Sequence, residues 1–322
     1  MKIIGKTEKK GLASVYLADF GEGRQAEFVE SLQPPHPRSD KWVLIVSTLF
    51  GCPVKCRICD AGNDFKGKLT REQMFRQIDY LVSRYYPSGR IPSKKFKIQF
   101  ARMGEPAFNQ AVLDVLEELP VRYDAPGLIP SISSIAPACC ENFFDRLLSI
   151  KEKLYEKGRF QLQFSLHSTN ELERNALIPA RTWSFSEIAG YGERFYRTGD
   201  RKITLNFALA KGSSFDPVEL LPYFSPEKFL LKLTPLNPTY KARENQLSSR
   251  ISASDTTELT DLASSAGYES ILSFGEFEEN LIGSNCGQYL RTHLEKNGDY
   301  SDSYTYELEE GVDSLKDDPY LK

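Results

Sequence analysis

Apolar runs typical of strands alternate with stretches of helical periodicity along most of the chain. The apolar runs predict six strands, at Trp42–Thr48, Phe96–Phe100, Leu128–Ser134, Gln161–His167, Ile203–Leu209 and Phe229–Leu236. Helical patterns follow them at Thr70–Tyr85, Gln110–Leu119, Glu141–Tyr155, Ser184–Tyr196, Pro217–Tyr223 and Ser254–Ala266. Such alternation favours a parallel sheet with right-handed crossovers. The pattern therefore predicts an α/β fold, a partial barrel of six strand–helix units rather than a full eight.

The two ends of the chain do not follow this alternation. Residues 1–41 read as a short N-terminal β extension with a proline-rich loop at Gln33–Pro37. Residues 42–275 form the predicted barrel. Residues 276–322 are expected to be a C-terminal extension that carries Cys286 in a loop, with an acidic, tyrosine-rich surface tail from Asn297 onward.

Composition places the chain among ordinary globular proteins, since 40% of its 322 residues are hydrophobic and 26% are charged. It contains no apolar run long enough for a membrane span, and Met1–Lys6 does not resemble a signal peptide. Six cysteines are too few for a disulfide scaffold, and their clustering suits a reducing compartment. We expect a cytoplasmic protein without a membrane partner.

The formal net charge of −3 is unlike the basic balance of a dedicated nucleic-acid binder. A local basic groove could still exist at Lys94, Lys95 and Lys97. The same run could equally be a solvated approach to a strand.

Three cysteines, Cys52, Cys56 and Cys59, follow the first predicted strand with the spacing C-x3-C-x2-C. Thiolates this close can hold three irons of a four-iron, four-sulfur (4Fe-4S) cluster, in which each iron normally carries one cysteine. One iron would then be open to a small molecule, as in catalytic metal sites. A structural zinc site or three free thiols are the alternatives, but zinc usually takes two ligand pairs and no second pair follows at the right distance.

Other polar residues stand where predicted strands end, which is where parallel α/β folds place their sites. Gly104 and Glu105 follow the second strand, and a carboxylate there could bind an amine. Further candidates at strand ends are Ser133, Ser165, His167 and Asn237. A lone histidine at a strand end is more often a structural hydrogen-bonding group than a catalyst.

As an ordered set, these motifs resemble the RlmN/Cfr-type family of radical S-adenosylmethionine (SAM) methyltransferases. Met103–Asn109 is similar to that family's M-G-E-P-x-x-N, and Ser165-Leu166-His167 with Arg174 and Ile178-Pro179 is similar to its S-L-H motif. Leu236-Asn237-Pro238 is similar to F-N-P, and Asn285–Tyr289 to A-C-G-Q-L. The resemblance runs from about Gly11 to about Leu290.

The resemblance implies a role for each of these residues. Cys52, Cys56 and Cys59 would ligate the 4Fe-4S cluster, and the open iron would bind the amino and carboxylate groups of SAM. Glu105 would accept a hydrogen bond from the SAM amino group, beside Gly104. Ser133, Ser165, His167 and Asn237 would lie against the rest of SAM. Cys286 would carry a methyl group, lose a hydrogen atom to the 5′-deoxyadenosyl radical and add the resulting carbon to the substrate.

The chain departs from the family in ways that affect function. Ile45 stands where the family has a second cysteine that resolves the covalent adduct, and an aliphatic side chain cannot attack sulfur. Cys139 or Cys140 could substitute for it. Ile58 replaces a usual aromatic residue. The cluster loop also comes early in the sequence, so we expect that the family's N-terminal accessory domain is missing.

Several functions are compatible with these features. The first is a radical SAM methylase or methylene transferase that acts through methyl-Cys286 on an unactivated carbon of a substrate other than the usual adenine, and RNA adenine methylation is a separate alternative to it. The second is a radical SAM enzyme of another reaction type, such as hydrogen abstraction, rearrangement, cyclisation or alkyl transfer, in which Cys286 donates hydrogen or is structural. The third is a non-enzymatic protein with a structural cluster. The expected partners are SAM, a small-molecule substrate or nucleic acid, and an electron donor such as flavodoxin or ferredoxin.

Overall fold

The structure is a computed structural model that describes residues 1–62, 64–251, 256–273, 279, 282–284, 290 and 309–310. Its strands are β1 (Lys2–Lys9), β2 (Ala13–Asp19), β3 (Gln25–Ser31), β4 (Lys41–Val46), β5 (Leu49–Phe50), β6 (Gly67–Lys68), β7 (Lys95–Phe100), β8 (Leu128–Ser134), β9 (Gln161–Ser165), β10 (Ile203–Leu209), β11 (Phe229–Pro235), β12 (Ser270–Leu272) and β13 (Glu309–Glu310). Its α-helices are α1 (Arg71–Tyr85), α2 (Ala111–Arg122), α3 (Glu141–Leu154), α4 (Glu171–Leu177), α5 (Phe185–Phe195), α6 (Tyr240–Glu244) and α7 (Thr256–Ser265).

One large sheet organises these elements, in the order β12-β11-β10-β9-β8-β7-β4-β3-β2-β1-β13. Strands β4 and β7 to β12 are parallel and follow one another in chain order, with helices between them. This confirms the α/β class, and the six predicted strands correspond to β4 and β7–β11. The three N-terminal strands continue the same sheet, each antiparallel to its neighbour, with β3 beside β4. Strands β5 and β6 form a separate antiparallel pair. The three-way division of the chain at residues 41 and 275 stays a prediction.

Some elements differ from the sequence-based expectation. The predicted helix Pro217–Tyr223 is a short 3-10 helix, Pro217–Leu220. Helices α4 and α6 and strand β12 were not predicted, because segments of three to seven residues hold too few positions to show a period. The expected cap of the last helix, Ser254 or Asp255, and most of the expected acidic tail lie outside the described residues.

Local capping and an apolar stripe explain why α1 forms where it does. The Thr70 hydroxyl accepts a hydrogen bond from the Gln73 N–H at 3.2 Å, and the Gln73 side chain accepts one from the Thr70 N–H at 2.9 Å. This reciprocal capping box satisfies two donors that the helix itself leaves free. The predicted apolar stripe of Met74, Ile78, Leu81 and Val82 is buried, as expected.

The parallel strands present two faces of different character. Residues of the outer face pack against the helices, as Trp42 and Phe96 show by stacking at 5.0 Å next to Tyr85 and Tyr86. The inner face is formed by the alternate positions Lys41, Val43, Ile45, Lys95, Lys97, Gln99, Ile129, Ser131, Ser133, Gln161, Gln163, Ser165, Thr204, Asn206, Ala208, Leu230, Lys232 and Thr234. Most of these side chains remain partly exposed. The barrel therefore encloses an interior that is polar and open to solvent.

Candidate radical SAM site

The cysteine loop lies across the carboxyl ends of the parallel strands. Cys52, with Cys56 and Cys59 at its edge, packs into a second apolar cluster that is separate from the main core. Its other members come from the ends of four units of the barrel: Ile135, Leu177, Ile178, Ala208, Ala210, Leu236 and Ala242. The sequence-based expectation that the loop occupies the catalytic edge of the barrel agrees with this placement.

Backbone hydrogen bonds fix the loop to two distant segments. The Arg57 N–H donates to the Leu177 carbonyl at 2.9 Å, and the Thr239 hydroxyl donates to the Ile58 carbonyl at 3.0 Å. The buried Asp60 carboxylate accepts from the N–H groups of Tyr240 and Lys241, at 3.2 and 2.9 Å. The spacing of the three thiols is therefore held by contacts from outside the loop.

Gly62 shows how tightly the loop turns back on itself. A Cβ atom at this position would lie 2.7 Å from the Cα of Lys55, a backbone atom that cannot move aside. Lys55 itself has a φ of 59°, which is unusual for a residue with a side chain. The chain between the first two cysteines is thus folded against the segment after the third.

The surroundings of Cys52 suit a thiolate that is bound to metal. Burial raises the pKa of Cys52 to about 11, while the backbone N–H groups of Val54, Glu105 and Lys55 oppose that shift. Burial also raises the pKa of Cys56, and the neighbouring Cys52 adds to the effect. N–H groups directed at cysteine sulfur are a common means of tuning iron–sulfur clusters. A buried apolar setting with such donors fits a cluster.

A single-ion site is not supported by the geometry of the described residues. Among them, no three side chains of the Cys, His, Asp or Glu type converge on one point as ligands of one metal ion. A 4Fe-4S cluster does not require such convergence, because each thiolate binds a different iron. The preference for a cluster over zinc therefore rests on the C-x3-C-x2-C spacing.

Glu105 is buried beside the cysteine loop and is held by three donors. One carboxylate oxygen accepts from the Ser134 hydroxyl at 2.6 Å and from the Ala107 N–H at 3.0 Å. The other accepts from the Ile135 N–H at 2.9 Å. Burial raises the pKa of this carboxyl group. Gly104 precedes it with a φ of 95°, and a Cβ there would lie 2.4 Å from the Leu49 side chain, so only glycine fits.

Arg174 connects the ends of two strands behind this carboxylate. Arg174 is 1% exposed, and its guanidinium donates to the carbonyls of Trp183 at 2.7 Å, Ile135 at 2.8 Å and Ser165 at 3.3 Å. Ile135 thereby links Arg174 to Glu105, because its N–H donates to the Glu105 carboxylate and its carbonyl accepts from Arg174. Arg174 thus has a structural role, because it holds the strand ends in position through these hydrogen bonds.

Ser133 and Ser165 both lie on the inner face at the carboxyl ends of β8 and β9, as predicted. The Ser133 hydroxyl accepts from the Gln163 side chain at 3.1 Å. Both serines are partly exposed toward the barrel interior. Asn237 is partly exposed just past β11, next to Leu236 of the apolar cluster around the cysteines. The predicted SAM-contact positions therefore lie at the carboxyl ends of β8, β9 and β11, and their roles stay predictions.

His167 has a structural environment. Its Nδ1 accepts from the Ala208 N–H at 3.0 Å, and its backbone has a φ of 66°. Burial lowers the pKa of His167 to about 4, with a further contribution from the nearby Arg174. The ring is therefore neutral at physiological pH and ties the end of β9 to β10. This arrangement favours the structural interpretation over a direct role in chemistry.

Cys286 lies outside the described residues, but the chain on both sides of it is anchored. Arg102 donates to the carbonyls of Gly283 at 2.7 Å and Ser284 at 3.1 Å. Glu27 accepts from the Leu290 N–H at 3.2 Å and pairs with Arg102 at 2.7 Å. This fully buried ion pair was not predicted from the sequence. The sequence signal for this pair is Glu27 itself, a charged residue at a position of β3 that its alternation directs inward.

Two further cysteines lie near Glu105. Cys139 and Cys140 precede α3, and their sulfur atoms are 3.9 Å apart. Burial raises the pKa of Cys140 to about 12, which opposes formation of a reactive thiolate, whereas Cys139 is exposed. Ile45 is partly exposed on the inner face of β4, so the position without a resolving thiol does face the barrel interior.

Solved structures share this open parallel barrel with helices on its outer face. A radical SAM methyltransferase from Sphaerobacter thermophilus shares the fold, with a TM-score of 0.65 and 21% identity over 85% of this chain and 76% of its own. A spore photoproduct lyase shares it more distantly, with a TM-score of 0.51 and 11% identity over 72% of this chain and 76% of its own.

Proteins related in sequence indicate a more specific likeness than the fold does. The dual-specificity RNA methyltransferase RlmN of Anaeromyxobacter dehalogenans is 26% identical over 201 residues, 60% of this chain and 51% of its own. That of Gluconobacter oxydans is 25% identical over 295 residues, 87% of this chain and 67% of its own. The chain spans about half the length of the first curated relatives that it matches. No protein-family model matches it. These matches support the predicted likeness of the chain to the RlmN/Cfr-type radical SAM family.

None of the helices in the described part of the chain is both long and apolar enough to cross a bilayer.

Proposed function

We propose that this protein is a radical SAM enzyme that transfers a one-carbon group through Cys286. The observation that carries the proposal is the position of the cysteine loop, packed at the carboxyl edge against Ile135 and Leu236 with Glu105 beside it. Likeness to methyltransferase relatives supports the one-carbon transfer. The cofactors proposed are a 4Fe-4S cluster and SAM, and a thiolate-bound cluster suits a reducing compartment such as the cytoplasm.

The residues of the chain would divide the work as follows. Cys52, Cys56 and Cys59 would hold the cluster, and Glu105 would orient the SAM amino group. Arg174 would keep the strand ends in register through its bonds to Ile135 and Ser165 carbonyls. When bound and reduced, the cluster would supply an electron that cleaves SAM to a 5′-deoxyadenosyl radical. The apolar cluster around the thiols would exclude water from this site.

Cys286 would act as the methyl carrier. Its thiolate would attack the methyl carbon of one SAM molecule and become a methyl thioether. The rest of that SAM molecule would leave as S-adenosylhomocysteine. Arg102 and Glu27 would position this segment, because they bind its two flanks at Gly283, Ser284 and Leu290. Incubation of anaerobic protein with SAM, followed by intact-mass analysis, should show a gain of one methylene unit that maps to Cys286.

A control variant makes this test specific. Cys286→Ala should cleave SAM under reduction yet show no mass gain, whereas Cys139→Ala should behave as the wild type. Production of 5′-deoxyadenosine by the wild type without any modification of Cys286 would contradict one-carbon transfer.

A radical SAM reaction of another type is the second candidate, and Ile45 is the observation that favours it. This aliphatic side chain faces the barrel interior where an adduct-resolving thiol would be needed. An Ile45→Cys variant separates the two functions. If the enzyme carries methyl groups but releases adducts poorly, this variant should release product faster; in an unrelated reaction it should not.

The substrate and the electron donor belong to this proposal as classes. RNA is the substrate named for the relatives, and a small reducing protein such as flavodoxin or ferredoxin would deliver the electron. Comparison of turnover with dithionite and with the protein donor would test the proposed electron donor.

A further inference from the structure

The amino-terminal half of the barrel interior carries a cluster of three lysines. Lys41 begins β4, and Lys95 and Lys97 lie on β7, all on the inner face. The parallel register places Lys41 directly beside Lys95, and Lys97 one inward position further along the strand. The inner face of strands β4 and β7–β11 contains no aspartate or glutamate. The strands therefore bring positive charge together without bringing compensating charge.

The inward lysines also differ from their exposed neighbour. Lys94 pairs with Asp40 at 2.8 Å on the outside of the molecule. Lys41, Lys95 and Lys97 form no ion pair with any residue that the structure describes. Burial lowers the pKa of Lys97 to about 7, and the nearby Lys232, Lys95 and Lys41 lower it further. Like charges in a partly buried space are costly unless an anion joins them.

We propose that the lysine cluster, Lys41, Lys95 and Lys97, binds the phosphate group of a phosphorylated small-molecule substrate. Several ammonium groups around one concave space match a dianion better than a carboxylate, because a phosphate monoester carries close to two negative charges at neutral pH. Lysine is a common point-charge partner of phosphate. The positive interior would also concentrate anions from solution, since low-dielectric walls focus the field.

The position of the cluster fits a substrate that spans the barrel. Lys97 pairs in register with Ile129, and Ser133, expected at the SAM site, lies four residues further along β8. Four residues of a strand cover about 13 Å. A molecule with its phosphate on the lysines would extend its reacting carbon toward the carboxyl edge. This inference rests on the proposed function for the reaction, but the binding of phosphate does not depend on it.

RNA is the alternative ligand, and the geometry is less favourable for it. Polynucleotide binding draws on a stripe of cations that neutralises successive phosphates. The lysine cluster instead forms a single concave patch on the inner face of the barrel. A phosphorylated small molecule therefore uses all of its charge in one place.

Calorimetric titration of the cluster-reconstituted full chain tests the proposal. Inorganic phosphate should bind at one site, and acetate should bind at least about tenfold more weakly. Lys97→Met keeps the length of the side chain without its charge, and it should weaken phosphate binding by about tenfold or more. Lys94→Met, the matched control outside the barrel, should bind phosphate within about twofold of the wild type.

Thermal unfolding provides a second readout that guards against a misfolded variant. Phosphate should raise the melting temperature of the wild type and not that of Lys97→Met, while the variant itself should melt no lower than the wild type. Equal phosphate binding by wild type and Lys97→Met would overturn the proposal. So would a short oligoribonucleotide that binds through Lys97 when inorganic phosphate does not. Reductive SAM cleavage, followed in parallel, reports separately on the proposed function.

Discussion

The two halves of the barrel interior handle charge in opposite ways. At the carboxyl edge, the charged groups have partners within the chain: Glu105 accepts three hydrogen bonds, and Arg174 donates to three carbonyls. At the amino-terminal half, Lys41, Lys95 and Lys97 face the interior without an acidic partner among the described residues.

This difference distinguishes a site with a fixed geometry, at the carboxyl edge, from a site that can bind an anion, in the amino-terminal half. Buried polar groups with complete hydrogen bonding hold a fixed geometry, which a catalytic centre requires. Charges left without partners store unfavourable energy that a ligand of opposite charge can relieve. The carboxyl edge is therefore built to position a cofactor, and the lysine cluster is built to receive an anion.

The largest effect is expected at the thiols of the carboxyl edge. Cys56→Ser should abolish cluster binding and all reductive cleavage of SAM, because an alcohol is a poor iron ligand under these conditions. Iron analysis and 5′-deoxyadenosine quantification measure both effects. Cys139→Ser is the control and should keep its iron. A Cys56→Ser variant with full iron content and wild-type cleavage would remove the cysteine loop from the site.

Removing Arg174 tests whether the carboxyl edge is held from within. Arg174→Met leaves three buried carbonyls without a donor and should lower the free energy of unfolding by about 3 to 5 kcal/mol, measured by urea denaturation. Arg194→Met provides the control, since Arg194 is exposed and pairs with Asp145 only at 3.4 Å; its effect should stay within about 0.5 kcal/mol. Equal effects of the two substitutions would show that the hydrogen bonds of Arg174 do not stabilise the fold.

His167 gives the carboxyl edge a pH dependence with a defined sign. Its pKa in the folded state is about 4 against an ordinary value of 6.5, so the unfolded chain binds more protons between these values. The stability that neutral His167 contributes is complete above pH 6.5 and is lost as the pH falls toward 4. From pH 7 to pH 5 the loss should be about 2 kcal/mol. His167→Gln, whose amide oxygen can still accept from Ala208, should lack this slope in parallel denaturation curves; identical slopes would contradict the assignment.

An effect of opposite sign is expected in the lysine cluster. Lys97→Met removes a partly buried charge from among like charges and should raise the free energy of unfolding at pH 7, by up to about 4 kcal/mol for a pKa lowered from 10.5 to about 7. Because the pKa of Lys97 is lowered from 10.5 to about 7, the wild type loses stability as the pH falls through this range. The advantage of the variant should therefore grow from pH 10 to pH 7. Lys94→Met should show no such gain, and a loss of stability in Lys97→Met would contradict the comparison.

The sequence predicts the frame of this comparison because the relevant signals are local. Six strands show as apolar runs, and the three thiols lie within eight consecutive positions of one loop. Alternation within β7 gives Lys95 and Lys97 a common face. It does not reveal that Lys41 joins them, because that depends on the register of separate strands.

Contacts between distant segments explain most of what the sequence could not provide. Arg174 belongs to a recognisable motif, but only the fold brings Ile135 and Trp183 carbonyls to its guanidinium. The pair of Glu27 and Arg102 joins residues that lie far apart in the chain and contacts a third segment. His167 stood among the expected SAM contacts, and its bond to Ala208 became visible only once β9 and β10 were adjacent.

The composition of the metal site is the most direct test of the central claim. Anaerobically reconstituted protein should contain four irons and four sulfides per chain, and the Mössbauer signal of one iron should change when SAM is added. A single tetrahedral divalent ion on Cys52, Cys56 and Cys59, or a cluster whose irons do not respond to SAM, would contradict the account.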